Sequence, residues 1–260
     1  QMLRAELSEL AKTNFASGVQ IHLRRGAGAY ICGEESALLE SIEGKRGLPK
    51  NRPPYPAQSG VFGRPTLINN VETLYWVSEI LKNGPAWYVA EGRPRFYSVS
   101  GRVKKPGIVR ARSGMTVWKL ITEFCGGMLD GHTFKAYLPG GASGGILPAN
   151  MSNIALDFGT LEEFGCFIGS AAVVVFSDQD KIPDVSLNLL KFFANESCGQ
   201  CTPCRLGCEK MIELLTDATL DECLLGELST VMRDASICGL GQAAPNPVKT
   251  GMAHFRDEFK

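Results

Sequence analysis

Three cysteines in the stretch SCGQCTPCR, namely Cys198, Cys201 and Cys204, stand at the spacing C-x2-C-x2-C, and a fourth, Cys238, lies far downstream in SICGLGQ. Thiolates so spaced can wrap one side of an inorganic cluster from a single turn. A distant fourth closes the cage, so the set suits a [4Fe–4S] cluster. Zinc is the second reading, although structural zinc more often takes two separated C-x2-C pairs. Unligated thiols come third, because three exposed cysteines this close together invite oxidation.

The remaining cysteines read as packing. Cys208 falls on the apolar face of a helix, and Cys125 and Cys166 sit beside Phe124 and Phe167. Cys223 has no partner at ligand spacing, and Cys32, inside a glycine turn, is better explained as a packed side chain. Nine cysteines, an odd number without a signal segment, argue against a disulfide framework and for a reduced, cytoplasmic setting.

A second constellation is GAGAYICGEESAL. Gly26, Gly28 and Gly33 allow a close-approach turn ahead of a helix whose free N–H groups can receive an anion. The spacing is not G-x-G-x-x-G, so it is no dinucleotide fingerprint. Glu34 and Glu35 favour the helix dipole but would repel a phosphate. They suit hydrogen bonds to a ribose or a carboxamide, and an ordinary strand-to-helix turn explains them about as well. In INNVET, Asn69, Asn70 and Thr73 could cap the next helix or hold a polyol or phosphate. The three histidines, His22, His132 and His254, have neither metal-pair spacing nor a nucleophile beside them. A cluster without acid–base machinery points to electron transfer rather than hydrolysis.

These residues need elements to position them. Leu3, Leu7, Leu10 and Ala11 keep helical spacing within residues 3–17, and VQIHLRR (19–25) alternates like a strand before the glycine turn and a helix. A long proline-rich passage, GLPKNRPPYPAQSGVFGRP, precedes a helix in INNVETLYWVSEILKNG. FYSVSG and IVRAR flank a Pro-Gly turn as a hairpin, TVWKLITEFCGG is a short helix, FKAYLPGG a strand and AAVVVFSD (171–178) a buried strand. That order suggests a small β-grasp module.

The last quarter is helical. Its apolar positions include Val185, Leu189, Phe192 and Phe193, then Cys208, Met211, Ile212 and Leu215. Thr219 with Glu222 reads as a capping box, and Asn246-Pro247 as the cap of a final helix. Four such helices make a bundle. The fold class expected is therefore α/β plus α.

Lys+Arg 27 against Asp+Glu 27 removes the electrostatic attraction that nucleic-acid binders use. No apolar run approaches the ~20 residues that span a bilayer, so direct membrane insertion is not expected. The opening Gln1-Met2 carries no apolar signal, which predicts a soluble chain that is processed or a piece of a longer one.

Taken together, GAGAYICGEESALLESIEG, PPYPAQSGVFGRPTLINNVETL and ESCGQCTPCRLG resemble, in this order, the NADH-oxidising flavoprotein subunit of respiratory complex I, NAD-reducing hydrogenases and NAD-dependent formate dehydrogenases. The resemblance runs from about Arg24 to the end. SICGLGQAAPNPV looks more like the soluble hydrogenase and formate dehydrogenase branch, and PGGASGGILPA most like the beta subunit of molybdenum formate dehydrogenases.

The resemblance implies a partial Rossmann-like FMN and NADH domain (1–93), a ubiquitin-like SLBB domain (94–178) and a helical [4Fe–4S] domain (179–260). Cys198, Cys201, Cys204 and Cys238 would be cluster ligands. Tyr30, Gly33, Glu34 and Glu35 would line the flavin and nicotinamide cleft, Tyr30 and Glu35 as its catalytic residues, while Asn69, Asn70 and Thr73 hold the FMN. Arg52 matches a position often held by lysine, and Tyr55 an aromatic one that stacks on adenine. The family's glycine-rich loop G-R-G-G-A-G-F-P has no counterpart after Gln1, so the FMN site would be incomplete unless another segment supplies it. The implied activity is that of a diaphorase, with a hydride exchanged between NAD(H) and FMN and single electrons with the cluster. The implied partners are a thioredoxin-like [2Fe–2S] subunit and, beyond it, a molybdenum formate dehydrogenase catalytic subunit or a hydrogenase.

Overall fold

The computed structural model describes residues 2–13, 18–217 and 219–259. Helix α1, Met2–Leu10, buries none of its residues, and the expected continuation over 14–17 lies outside the described residues. The strand expected at 19–25 does not form. These residues are exposed and, among the described residues, no strand lies beside them to take up their backbone groups. The glycine turn ends in a 3-10 turn, Tyr30–Gly33, and leads into α2, Glu35–Ile42. After the proline-rich passage come α3, Val71–Asn83, and α4, Pro85–Ala90.

The sheet follows. Strands β1 (Pro94–Gly101) and β2 (Gly107–Arg112) form the expected hairpin, in register Pro94↔Arg112 to Val99↔Gly107. Helix α5, Val117–Lys119, continues as a π-helical turn through Phe124. Strands β3 (Phe134–Leu138), β4 (Leu147–Pro148) and β5 (Ala172–Ser177) complete a mixed sheet in the order β2-β1-β5-β3-β4. Strand β5 is central, parallel to β1 and antiparallel to β3, with Val173 and Val175 fully buried. Against it pack Tyr97, Val99, Leu120 and Ile121. A helix held against a mixed sheet in this way is the β-grasp arrangement.

Four longer helices and one short one make the C-terminal bundle: α6 (Ile182–Glu196), α7 (Thr202–Thr216), α8 (Glu222–Ala235), α9 (Gly239–Ala243) and α10 (Asn246–His254). Helix α6 buries Ile182, Ser186, Leu190 and Phe193, with Val185, Leu189 and Phe192 half-buried beside them. Its apolar band is wide because it serves two cores. Phe193 and Leu190 pack with α7 and α8, whereas Ile182 packs with Ala136 and Leu138 of the sheet.

Two caps differ from expectation. Asp221, not Thr219, caps α8, its carboxylate accepting from Leu224 N at 2.9 Å. Asn246 turns away from its own helix and donates to Ser143 O at 3.0 Å. That bond and Ile146 N to Thr250 Oγ1 at 2.8 Å fasten α10 to the loop before β4. No helix among the described residues is long and apolar enough to cross a membrane.

Candidate cluster and flavin site

The C-x2-C-x2-C stretch lies between α6 and α7, and local bonds shape it. Gly199 sits at φ 76°, a conformation that glycine adopts without strain, and its N–H bonds Ser197 Oγ at 3.2 Å. The Arg205 guanidinium bonds Gly199 O from the first turn of α7. Cys201 is the N-cap of that helix, Pro203 stands in its opening turn, and Cys204 is buried one turn in. Cys238 comes just after the end of α8, as the N-cap of α9.

These sulfurs meet. The Cys204 thiol is pulled down to about 6, chiefly by a hydrogen bond from Cys208 and further by Ser197 and Cys201, against the opposing effect of burial. Its sulfur lies 3.4 Å from Ser197 Oγ. Cys208, fully buried on α7, is pushed up by that bond and by desolvation, so it remains a thiol. Burial pushes Cys238 up as well, the N–H groups of Leu240 and Gly241 pull it down, and the charges of Cys198 and Cys204 push it up further. All four expected ligands therefore border one place. Gly241 keeps it open: a β-carbon there would lie 2.7 Å from Cys204 Cβ and 2.5 Å from Ser236 Oγ.

Among the described residues no three His, Cys, Asp or Glu side chains stand close enough to hold one metal ion. A single zinc ion would need its sulfurs drawn in to bonds of about 2.3 Å. A cube carries its thiolates on separate corners, farther apart than the ligands of one ion, and a C-x2-C-x2-C triplet with a distant fourth cysteine suits that group. Of the other cysteines, Cys125 and Cys166 are buried in the sheet core and Cys32 packs against the bundle, as packing predicts, whereas Cys223 is exposed; all nine are free thiols.

The glycine turn is docked directly onto this bundle. Tyr30 N donates to the Glu196 carboxylate at 2.8 Å, and the Tyr30 ring meets Phe192 and Phe193 edge-on, at 5.1 and 6.5 Å between centroids. Ile31 is buried in the same core, and Arg46 reaches Cys198 O at 3.4 Å. Tyr30, Ile31, Gly33 and Glu34 face Gly239 and Leu240 across a cavity of about 310 Å³. The turn expected to hold the flavin thus abuts the residues that follow Cys238.

Glu34 has a heavier structural duty than its sequence position suggests. One carboxylate oxygen accepts from Ser36 N and Ala37 N, both at 2.9 Å, as the N-cap of α2, and the other meets Arg52 at 2.8 Å. Burial pushes its pKa up, but these bonds and the guanidinium outweigh it and hold the carboxyl below its usual range. Glu35 meets Arg52 at 2.8 Å with the rest of its side chain open, so it is the freer acceptor. Arg52 borders a cavity of about 460 Å³ with Lys50 and Phe62, and Tyr55 is exposed close by in sequence.

The expected FMN residues do not all converge. Asn70 caps α3 through Glu72 N at 2.8 Å, and with Thr73 lines a separate depression of about 490 Å³ beside Trp76 and Arg95. Asn69 is exposed and borders none of the cavities described. The same region leaves Leu67, Val71, Leu74 and Leu81 more than half exposed. Sequence patterns gave no sign of Glu196, Arg46 or Ser197, since long-range tethers leave no local signature. His22 is exposed in coil, and His132 bonds Ser177 Oγ at 2.9 Å.

The fold is a β-grasp module joined to a helical bundle that carries the cysteine triplet, with a glycine turn docked on that bundle. Family models match accordingly: the Nuo51 FMN-binding domain over residues 1–79, the SLBB domain over 96–147 and the NADH-ubiquinone oxidoreductase-F iron-sulfur binding region over 184–260. A subunit of the NADH-quinone oxidoreductase of Rhizobium meliloti is 40% identical over 250 residues, which are 92% of this chain and 59% of that protein. The NADP-reducing hydrogenase subunit HndC of Solidesulfovibrio fructosivorans is 37% identical over 98% of this chain and 55% of its own length. A crystal structure of NAD+-reducing [NiFe]-hydrogenase in the H2-reduced state superposes with a TM-score of 0.90 at 36% identity, covering 99% of this chain and 46% of that one. The chain is a partial member of the family of NADH-oxidising, FMN- and [4Fe–4S]-binding oxidoreductase subunits, and it spans between half and two thirds of the length of these curated relatives.

Proposed function

We propose that this chain is the cluster-bearing part of a diaphorase subunit that passes electrons between NAD(H), FMN and a [4Fe–4S] cluster held by Cys198, Cys201, Cys204 and Cys238. The observation that carries the reading is that the Tyr30–Glu34 turn faces Gly239 and Leu240, immediately after Cys238, across one cavity. When bound, the flavin exchanges a hydride with the nicotinamide and the cluster takes electrons singly. The chain's residues do the positioning. Glu196 and the Phe192–Phe193 pair hold Tyr30 against the bundle. Arg52 offsets the two carboxylates, which lets Glu35 accept a hydrogen bond from a ribose or carboxamide without an unbalanced negative wall. Asn69, Asn70 and Thr73 would hold the FMN from the far side, together with a segment covering the exposed apolar face of α3. The division into 1–93, 94–178 and 179–260 follows these roles.

The intact protein tests this. NADH added anaerobically should bleach the flavin absorbance and then reduce the cluster, and an unchanged spectrum would contradict the assignment.

Within this reading, PGGASGGILPA supports a formate-oxidising molybdenum partner reached through a thioredoxin-like [2Fe–2S] subunit. The likeness to hydrogenase subunits supports a hydrogen-handling partner equally well. Metal analysis of the co-purified complex separates the two, molybdenum for the first and nickel for the second. Nine free thiols suit a reducing cytoplasm.

A further inference from the structure

Helix α8 ends at Ala235, and the next residue, Ser236, is 6% exposed. Its backbone is fully used. The N–H bonds Met232 O at 3.2 Å, and its carbonyl accepts from Gln242 Nε2 at 3.0 Å. The hydroxyl is not used: among the described residues, Ser236 Oγ is the buried side-chain oxygen or nitrogen without a hydrogen-bond partner. A buried hydroxyl left unpaired carries the whole desolvation cost of that group, so a native protein normally gives it an acceptor.

The position of this hydroxyl says which acceptor is missing. A β-carbon on Gly241 would come within 2.5 Å of Ser236 Oγ and 2.7 Å of Cys204 Cβ, so serine and cysteine border the same small gap. Cys238 stands two residues on, and the sulfur of Cys204 already has Ser197 Oγ at 3.4 Å. We propose that Ser236 donates its hydroxyl hydrogen bond to the sulfur shell of the cluster at the Cys204 corner and thereby raises the cluster's reduction potential.

The direction follows from charge. Reduction adds an electron that spreads over the sulfurs, and a donor dipole aimed at them stabilises the reduced form more than the oxidised one. Only the difference between the two states moves the potential, and its upper bound is the whole worth of one neutral hydrogen bond, roughly fivefold in the reduction equilibrium. That is about 40 mV, at 59 mV per tenfold for one electron.

The inference rests on the cluster assignment, so iron and sulfide are measured beside the potential. In an EPR-monitored redox titration of the full-length protein, Ser236→Ala should keep its iron and show a midpoint more negative by up to about 40 mV. Ser236→Thr, which keeps the hydroxyl, should retain the native midpoint. An alanine variant with full iron and an unmoved or raised midpoint overturns the proposal. If alanine lowers the iron content, Ser236→Gly takes its place with the same expectation. Iron lost from both variants marks a role in assembly rather than in tuning and also overturns it. A native protein without iron fails the cluster assignment instead, a separate result.

Discussion

Gly239 and Gly241 share the five-residue helix α9, and one methyl group at each should act in opposite ways. Neither has a positive φ, so alanine fits both backbones. At Gly239 the added β-carbon meets nothing within 4 Å. Relief of glycine's conformational cost should then leave Gly239→Ala neutral or up to about 1 kcal/mol more stable. At Gly241 the same atom lands 2.5 Å from Ser236 Oγ and 2.7 Å from both Ser236 Cβ and Cys204 Cβ. Those Cβ atoms are anchored to the backbone, so the backbone at Cys204 or Ser236 has to move. Overpacking of this kind costs about 1–3 kcal/mol, from which the helix gain subtracts a little. For a chain of this size the net loss lowers Tm by roughly 2–8 °C. More tellingly, it displaces a cluster ligand. Purified Gly241→Ala should therefore carry less iron per chain and melt earlier, with Gly239→Ala matching the native protein in both. Full iron and a native Tm in Gly241→Ala would refute the packing argument. So would an equal loss in Gly239→Ala.

Further outcomes follow from other sites. Cys201→Ser should lose the cluster's iron while flavin binding persists, and an unchanged iron content would remove Cys201 from the ligand set. Phe193 is fully buried beneath Tyr30, so Phe193→Ala should cost about 3–5 kcal/mol, seen as a lower urea midpoint; a native midpoint would contradict it. The Asp180 carboxyl is held at about 2, chiefly by Arg102, against an ordinary value of 3.8. A depressed carboxylate stabilises the fold above its unfolded pKa and stops doing so as pH falls through the folded one. The stability gap between the native protein and Asp180→Asn should thus be flat above about pH 4 and close towards pH 2. A gap that stays constant to pH 2 would show that the Arg102–Asp180 pair is not its source.

What the sequence disclosed was what local spacing encodes. The cysteine triplet, the hairpin around Pro106-Gly107 and the amphipathic helices are patterns of neighbours, and each stands where spacing places it. The alternation in VQIHLRR was misleading because a strand needs a partner as well as a pattern, and none lies beside it among the described residues. Strand β5 was recognisable as buried, but its insertion between β1 and β3 depends on contacts across the whole module. The caps went astray where several polar residues compete. Asp221 reached Leu224 N ahead of Thr219, and Asn246 found a distant carbonyl. At the site, the residue types were legible while their tethers were not. Glu196 reaches Tyr30 across 166 residues and Arg46 reaches Cys198 across 152, and no periodicity announces such pairs.

The metal held by Cys198, Cys201, Cys204 and Cys238 decides whether this chain carries electrons. Elemental and acid-labile sulfide analysis of the anaerobically purified protein, with EPR after reduction, reads it directly. The expected result is iron and sulfide in [4Fe–4S] proportion and a paramagnetic signal from the reduced cluster. Stoichiometric zinc, with neither sulfide nor signal, would contradict it.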